Sequence, residues 1–189
     1  MSSPTSEPSR WESLSKTPLL KTRIFDVRST RFRHPVRNTE RDFVVIDAPD
    51  WVNVLALTPD HRIVLVRQFR YGTNDFSLEI PGGVMEAGET PLHAGPRELR
   101  EETGYTGSPA QPLGVVHPNP AMQSNRCHFV FVDQARVTVP LEWDTDEEIA
   151  VTALPVDEVF ALARAGGITH GLVLDALFFF EPIWRKLKK

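Results

Sequence analysis

Apolar and polar positions along the chain change period several times, and each change predicts an element. Residues 19–46 alternate loosely: Ile24, Phe25 and Val27 precede Arg28, Arg31, Arg33 and Arg37, and Phe43-Val44-Val45-Ile46 follows. This predicts two or three strands around an arginine-containing turn helped by His34-Pro35. Asp47-Ala48-Pro49-Asp50 reads as a turn leading through Trp51 into an apolar run over 52–57. A turn at Thr58-Pro59-Asp60-His61 and a returning run, Ile63-Val64-Leu65-Val66, predict a hairpin. Later strands are expected over 113–117, 127–132 and 149–151. The 3.6-residue period appears over 155–165, ended by Gly166-Gly167, and again over 172–187, where Pro182 should kink or divide the helix. Between the strand groups Thr90 can cap a helix whose first residue is Pro91 and whose end is marked by Gly104. Pro96 should kink that helix or delay its start.

At 189 residues the chain can bury a sizeable single core. We expect a flexible tail over 1–17, a strand-rich arm over 18–47 and a main domain over 48–189. A net charge of −4 leaves no polybasic footprint, so duplex nucleic acid is disfavoured as a partner while free nucleotides fit. The single cysteine, Cys127, excludes an intramolecular disulfide and a multi-cysteine zinc site, and suits a reducing, cytoplasmic setting. It reads as a small buried hydrophobe on a strand. The Ser/Pro-rich start lacks the apolar centre of a signal peptide. The apolar stretch over 172–184 is interrupted by Asp175 and Glu181, so no membrane segment is expected.

The chemistry concentrates between Glu79 and Tyr105. On a helix Glu98, Glu101 and Glu102 stand at i, i+3 and i+4, so three carboxylates project from one face. Such close like charges repel, and Arg97 and Arg100 can neutralise only part of them. An oxygen-rich cluster of this kind suits a hard cation such as Mg²⁺ or Mn²⁺. Arg70, just before the glycine-rich Gly82-Gly83, is suited to a bidentate grip on phosphate, although an arginine at a strand end is also a common surface ion-pair residue. The acidic run Asp144-Thr145-Asp146-Glu147-Glu148 reads by itself as a solvated face. His117 and His128, beside strands, read as structural.

Gly83, Glu89, Arg97-Glu98-Leu99, Glu101-Glu102 and Gly104 together resemble the signature of the Nudix hydrolases. The closing position, usually aliphatic, is Tyr105, and Ala94-Gly95-Pro96 departs from the helix-favouring residues usual before the Arg-Glu pair. The run Gln68-Phe69-Arg70-Tyr71-Gly72, followed by Leu78-Glu79-Ile80-Pro81-Gly82-Gly83, looks like the branch acting on ADP-ribose and nucleoside diphosphate sugars. A proline near the place of Pro120 resembles that branch too.

The resemblance implies an α/β fold, an α/β/α sandwich around a mixed sheet, with a strand-rich N-terminal arm that in this branch commonly joins a homodimer. It implies metal ligands at Glu98, Glu101, Glu102 and the carbonyl of Gly82, with Glu101 also among the catalytic groups. It further implies a substrate site at Arg70, Glu79 and Pro120, and a loop glutamate, Glu147 or Glu148, that activates water. Glu89 would serve the helix dipole, pair with Arg97, or act near the metals. The implied activity is metal-dependent cleavage of a diphosphate into a nucleoside monophosphate and a sugar phosphate. Two alternatives are a nucleoside triphosphate or dinucleoside polyphosphate hydrolase and a catalytically silent nucleotide-sensing module. Glu98, Glu101 and Glu102 together argue against the sensor.

Overall fold

The computed structural model describes residues 7–140 and 148–188. In chain order the elements are β1 (Glu12–Lys21), β2 (Asp26–Arg33), β3 (Glu40–Asp47), β4 (Trp51–Ala56), β5 (Arg62–Arg70), β6 (Asp75–Glu79) and β7 (Gly82–Val84). There follow α1 (Pro91–Thr103), β8 (Tyr105–Thr106), β9 (Gln111–Val116), β10 (Cys127–Val132), β11 (Arg136–Val137), β12 (Ala150–Pro155), α2 (Val156–Arg164) and α3 (Gly171–Leu187). They form two units: the chain up to Pro49 with Asn119–Asn125, and Asp50–Pro118 with Arg126 onward.

The first unit is an antiparallel sheet in the order β1-β2-β3. Its first strand begins at Glu12, inside the stretch expected to be a flexible tail. β1 is exposed along its whole length, so no apolar pattern announces it. What defines it is a backbone ladder running from Glu12 opposite Arg33 to Lys21 opposite Asp26. The arginines expected around a turn lie largely on β2 and are matched with acids of β3. Arg28 bonds Asp47 and Thr30, while Arg33 Nη2 reaches Glu40 Oε1 at 2.7 Å and Arg31 Nε reaches Glu40 Oε2 at 3.2 Å.

In the second unit a mixed sheet runs β7-β4-β10-β9, with β4 and β10 parallel and the outer pairs antiparallel. A second sheet, antiparallel, runs β12-β5-β6. The expected hairpin between 52–57 and 63–66 is not a continuous ladder. β4 and β5 belong to different sheets, and a single bridge between Leu57 and Ile63 links them. The apolar runs over 52–56 and 63–66 are each buried on two faces, so they carry no signal for which neighbour each pairs with.

Side chains alternating across the strands build two cores. Val52, Val54, Ala56, Val130 and Val132 pack with Ala94 and Leu99 of α1. Leu55, Leu57, Cys127, Phe129 and Phe131 face the other way, onto Val173, Ala176, Leu177 and Phe180 of α3 and Val159 of α2. Helices therefore cover both faces, which makes this unit the expected α/β/α sandwich. Two sequence expectations change at α1. The helix starts at Pro91 and continues through Pro96, and Thr90 makes no side-chain cap bond, its carbonyl instead accepting from the backbone of His93 and Ala94. Gly95 lies so close to the sheet that a Cβ there would stand 2.4 Å from Val130 Cγ2, so this contact accounts for the unusual glycine. The helix ends at Gly104, whose φ is 71°. Cys127 is buried, as expected, and burial pushes its thiol up to about 12. Among the described residues no helix is long and apolar enough to cross a membrane.

Candidate active site

The site is built on two neighbouring pieces of the mixed sheet and α1. β7 pairs with β4, Val52 opposite Gly83, and this brings the glycine pair beneath the carboxylate face of α1. Glu102 is almost completely buried, and its Oε2 accepts the backbone N–H of Gly82 at 3.0 Å. Glu98 lies over Gly83 so closely that a Cβ there would fall 2.6 Å from its Oε1. Any side chain at position 83 would therefore displace that carboxylate.

Arg97 organises the outer half. Its Nε and Nη2 grip the two oxygens of Glu89 at 3.0 Å each, while Nη1 reaches Glu98 Oε1 at 2.9 Å and Glu101 Oε2 at 3.1 Å. Of the roles open to Glu89 the geometry shows the ion pair, and Glu89 Oε2 also accepts the backbone N–H of Glu86 at 3.0 Å. The hydrogen bonds from Arg97 hold the Glu89 carboxyl below the usual carboxylate range, and the surrounding carboxylates raise the Arg97 guanidinium further.

The donor set around Gly82 and Gly83 is oxygen only, which suits a hard divalent cation, and the bare Cα of Gly83 leaves room for the carboxylate of Glu98. Among the described residues no three acidic, histidine or cysteine side chains converge on one point, and Arg97 is shared between Glu98 and Glu101. The residue types thus fit the cation, while a shared coordination point would require side-chain rotation.

Arg70 and Glu79 meet across the β5–β6 pair as a two-pronged ion pair, Nε to Oε1 at 2.8 Å and Nη2 to Oε2 at 2.7 Å. Glu79 is 1% exposed. Burial works against its charge, but the hydrogen bonds and charge of Arg70 outweigh it and leave the carboxyl below its ordinary value. A third member was not foreseen: His170, just before α3, has Nε2 3.6 Å from Glu79 Oε2. It is remote in the chain and sits in no motif, so no local signal could have placed it. Asp50 was also missed. Its carboxylate takes the Arg126 backbone N–H at 2.8 Å and lies 3.1 Å from His128 Nε2, which gives His128 the structural role expected of it.

Pro120 is exposed and belongs to the first unit. Glu148 is exposed just before β12, and Glu147 lies outside the described residues.

A family model described as the NUDIX domain matches residues 47–176. A mouse ADP-sugar pyrophosphatase is 33% identical over 173 residues, covering 88% of this chain and 78% of the relative. An ADP-ribose pyrophosphatase of Bacillus subtilis is 30% identical over 138 residues, covering 72% and 75%. A crystal structure of an ADP compounds hydrolase superposes with a TM-score of 0.85 over 97% of this chain and 98% of the other, at 20% identity, a likeness of fold. The domain match spans the strands and the carboxylate helix alike, and with it the chain belongs to the Nudix hydrolase family.

Proposed function

We propose that the protein hydrolyses the diphosphate linkage of ADP-ribose or a nucleoside diphosphate sugar, giving a nucleoside monophosphate and a sugar phosphate. The observation that carries this reading is the carboxylate face of α1 closed against Gly82-Gly83, with the Arg70–Glu79 pair supplied from the adjoining sheet. Relatives named for ADP-sugar and ADP-ribose cleavage support the substrate class. Glu98, Glu101, Glu102 and the Gly82 carbonyl would hold the cation. Mg²⁺ or Mn²⁺ bound there supplies Lewis acidity and neutralises diphosphate charge. Arg70 steadies the phosphate that is not attacked, and Glu79 keeps its guanidinium oriented. Glu147 or Glu148 takes the proton of the attacking water.

The active form in this reading is a homodimer. Its support is the first unit, whose sheet leaves Leu14, Leu20, Phe43 and Val44 exposed. A solution mass of one chain would remove that part. A cytoplasmic setting is part of the same reading: the lone buried thiol suits a reducing compartment, and fractionation checks it.

The test is a product-resolved assay of ADP-ribose, ADP-glucose, GDP-mannose and ATP with Mg²⁺, repeated after chelation. We expect monophosphate and sugar phosphate from the first substrates, loss of turnover on chelation, and loss of about a hundredfold or more in Glu102→Gln. Preferential conversion of ATP to a monophosphate would instead support the triphosphate reading. Undiminished turnover in Glu102→Gln would remove the site assignment.

A further inference from the structure

His170 occupies a position whose local rule it breaks. It is the residue capping the amino end of α3, a 17-residue helix, yet its side chain makes no cap bond. Serine, threonine, aspartate and asparagine are favoured there because a short side-chain oxygen reaches the free N–H groups of the first turn. An imidazole that ignores those groups has another use or none.

The ring is directed at Glu79. Nε2 lies 3.6 Å from Oε2, the same oxygen that accepts Arg70 Nη2 at 2.7 Å. Nδ1 is buried and has no hydrogen-bond partner. With a carboxylate beside Nε2 the proton is assigned to Nε2, which leaves Nδ1 as a bare acceptor, and an unfilled acceptor is tolerated more readily than a buried orphan donor. The backbone that carries the ring is firmly seated, since Val173, Ala176, Leu177 and Phe180 of α3 lie in the core and the His170 carbonyl accepts from Val173 at 3.0 Å. Glu79, by contrast, is attached to a strand at the edge of the β12-β5-β6 sheet. Its carboxylate is hydrogen-bonded by Arg70 on the neighbouring strand and by Ser77 of its own strand, and a ring anchored in a distant helix stands beside it.

We infer that His170 is a positioning residue for the substrate: through Glu79 it sets the plane of the Arg70 guanidinium. The inference rests on the reading that Arg70 holds the diphosphate. Arg70 keeps a side-chain exposure of 42%, against 30% for His170 and 2% for Glu79, so the arginine is the most exposed member of this chain of contacts and the charged one that suits a phosphate. A guanidinium recognises phosphate through a planar fork, and a fork that rocks loses the two-pronged match first.

Four variants of the Mg²⁺-loaded enzyme test this, with steady-state kinetics on ADP-ribose and thermal melting measured for each. His170→Ala removes the contact with Glu79. His170→Gln places an amide nitrogen near the position of Nε2, whereas His170→Asn places one near Nδ1 and adds a good helix cap. In His170→Ala, KM should rise about fivefold while kcat stays within about twofold, the size expected when one polar contact that positions the arginine is lost. Glutamine should restore KM. Asparagine should raise the melting temperature and leave KM high, an outcome that a purely structural role for position 170 does not produce. KM values that follow melting temperature across the three substitutions would overturn the proposal. Arg70→Lys is the control: if it raises KM and His170→Ala does not, the role of His170 falls alone; if neither does, the reading of Arg70 falls with it.

Discussion

Two arginines of the second unit, Arg97 and Arg70, each grip both oxygens of a glutamate, and they serve opposite ends. Arg97 is bonded to Glu89, Glu98 and Glu101 and is 25% exposed. Arg70 is seen bonded to one carboxylate, which is almost wholly buried, and its own side chain is 42% exposed. The first guanidinium is the counter-charge of an acidic helix face, so its donors are consumed within the fold. The second is presented outward by a buried carboxylate that grips it with both oxygens. Residue type and pairing geometry are nearly the same in the two cases. Exposure separates a scaffold from a ligand contact.

The largest effect should come from Arg97→Ala. Three partly buried carboxylates would lose the Arg97 guanidinium together, while Glu101 keeps its 3.4 Å contact with Arg100, at a cost of about 2–3 kcal/mol read by denaturant unfolding. Adding Glu89→Gln should not rescue it, because Glu98 and Glu101 have still lost the Arg97 guanidinium. A full rescue would show that Arg97 serves one partner only, and the contrast between the arginines would fail.

The pair on the other side should behave differently. Replacing both Arg70 and Glu79 by glutamine removes the ion pair without stranding the buried carboxylate's charge, so stability should stay within about 1 kcal/mol of the parent. The KM for ADP-ribose should nevertheless rise about tenfold, because the phosphate grip has gone. An unchanged KM in this double variant would make Arg70 as structural as Arg97.

The smallest effect is in acid. The Glu79 and Glu89 carboxyls are both held below their ordinary value of 4.5 in the folded protein. In the window between the folded and unfolded values the unfolded chain binds more protons. The stabilisation is therefore complete above the unfolded value and is lost as pH falls through the folded one. Melting curves between about pH 6 and pH 3 should fall less steeply in Glu79→Gln and in Glu89→Gln than in the parent. A parallel slope in either variant would remove that carboxylate from the acid-sensitive set.

Much of this was legible in the chain because its signals are local. Helical spacing brings Glu98, Glu101 and Glu102 to one face, Gly82-Gly83 marks a close backbone approach, and alternating apolar strands with helices on either side of them define the sandwich. The misses share one cause. β1 has no buried side chain and exists through backbone pairing, the split of β4 and β5 between two sheets leaves both runs equally apolar, and Pro96 is accommodated in a helix held against the sheet by Gly95. His170 belongs with them. The sequence by itself determined the family and the acidic helix, since these depend on spacings within a few turns of chain. Only the tertiary structure decided that Arg97 is spent on its own carboxylates, that Glu79 is buried beneath Arg70, and that a histidine from the last helix stands beside it. Those outcomes depend on burial and on distances between remote segments, and neither quantity is encoded by local spacing.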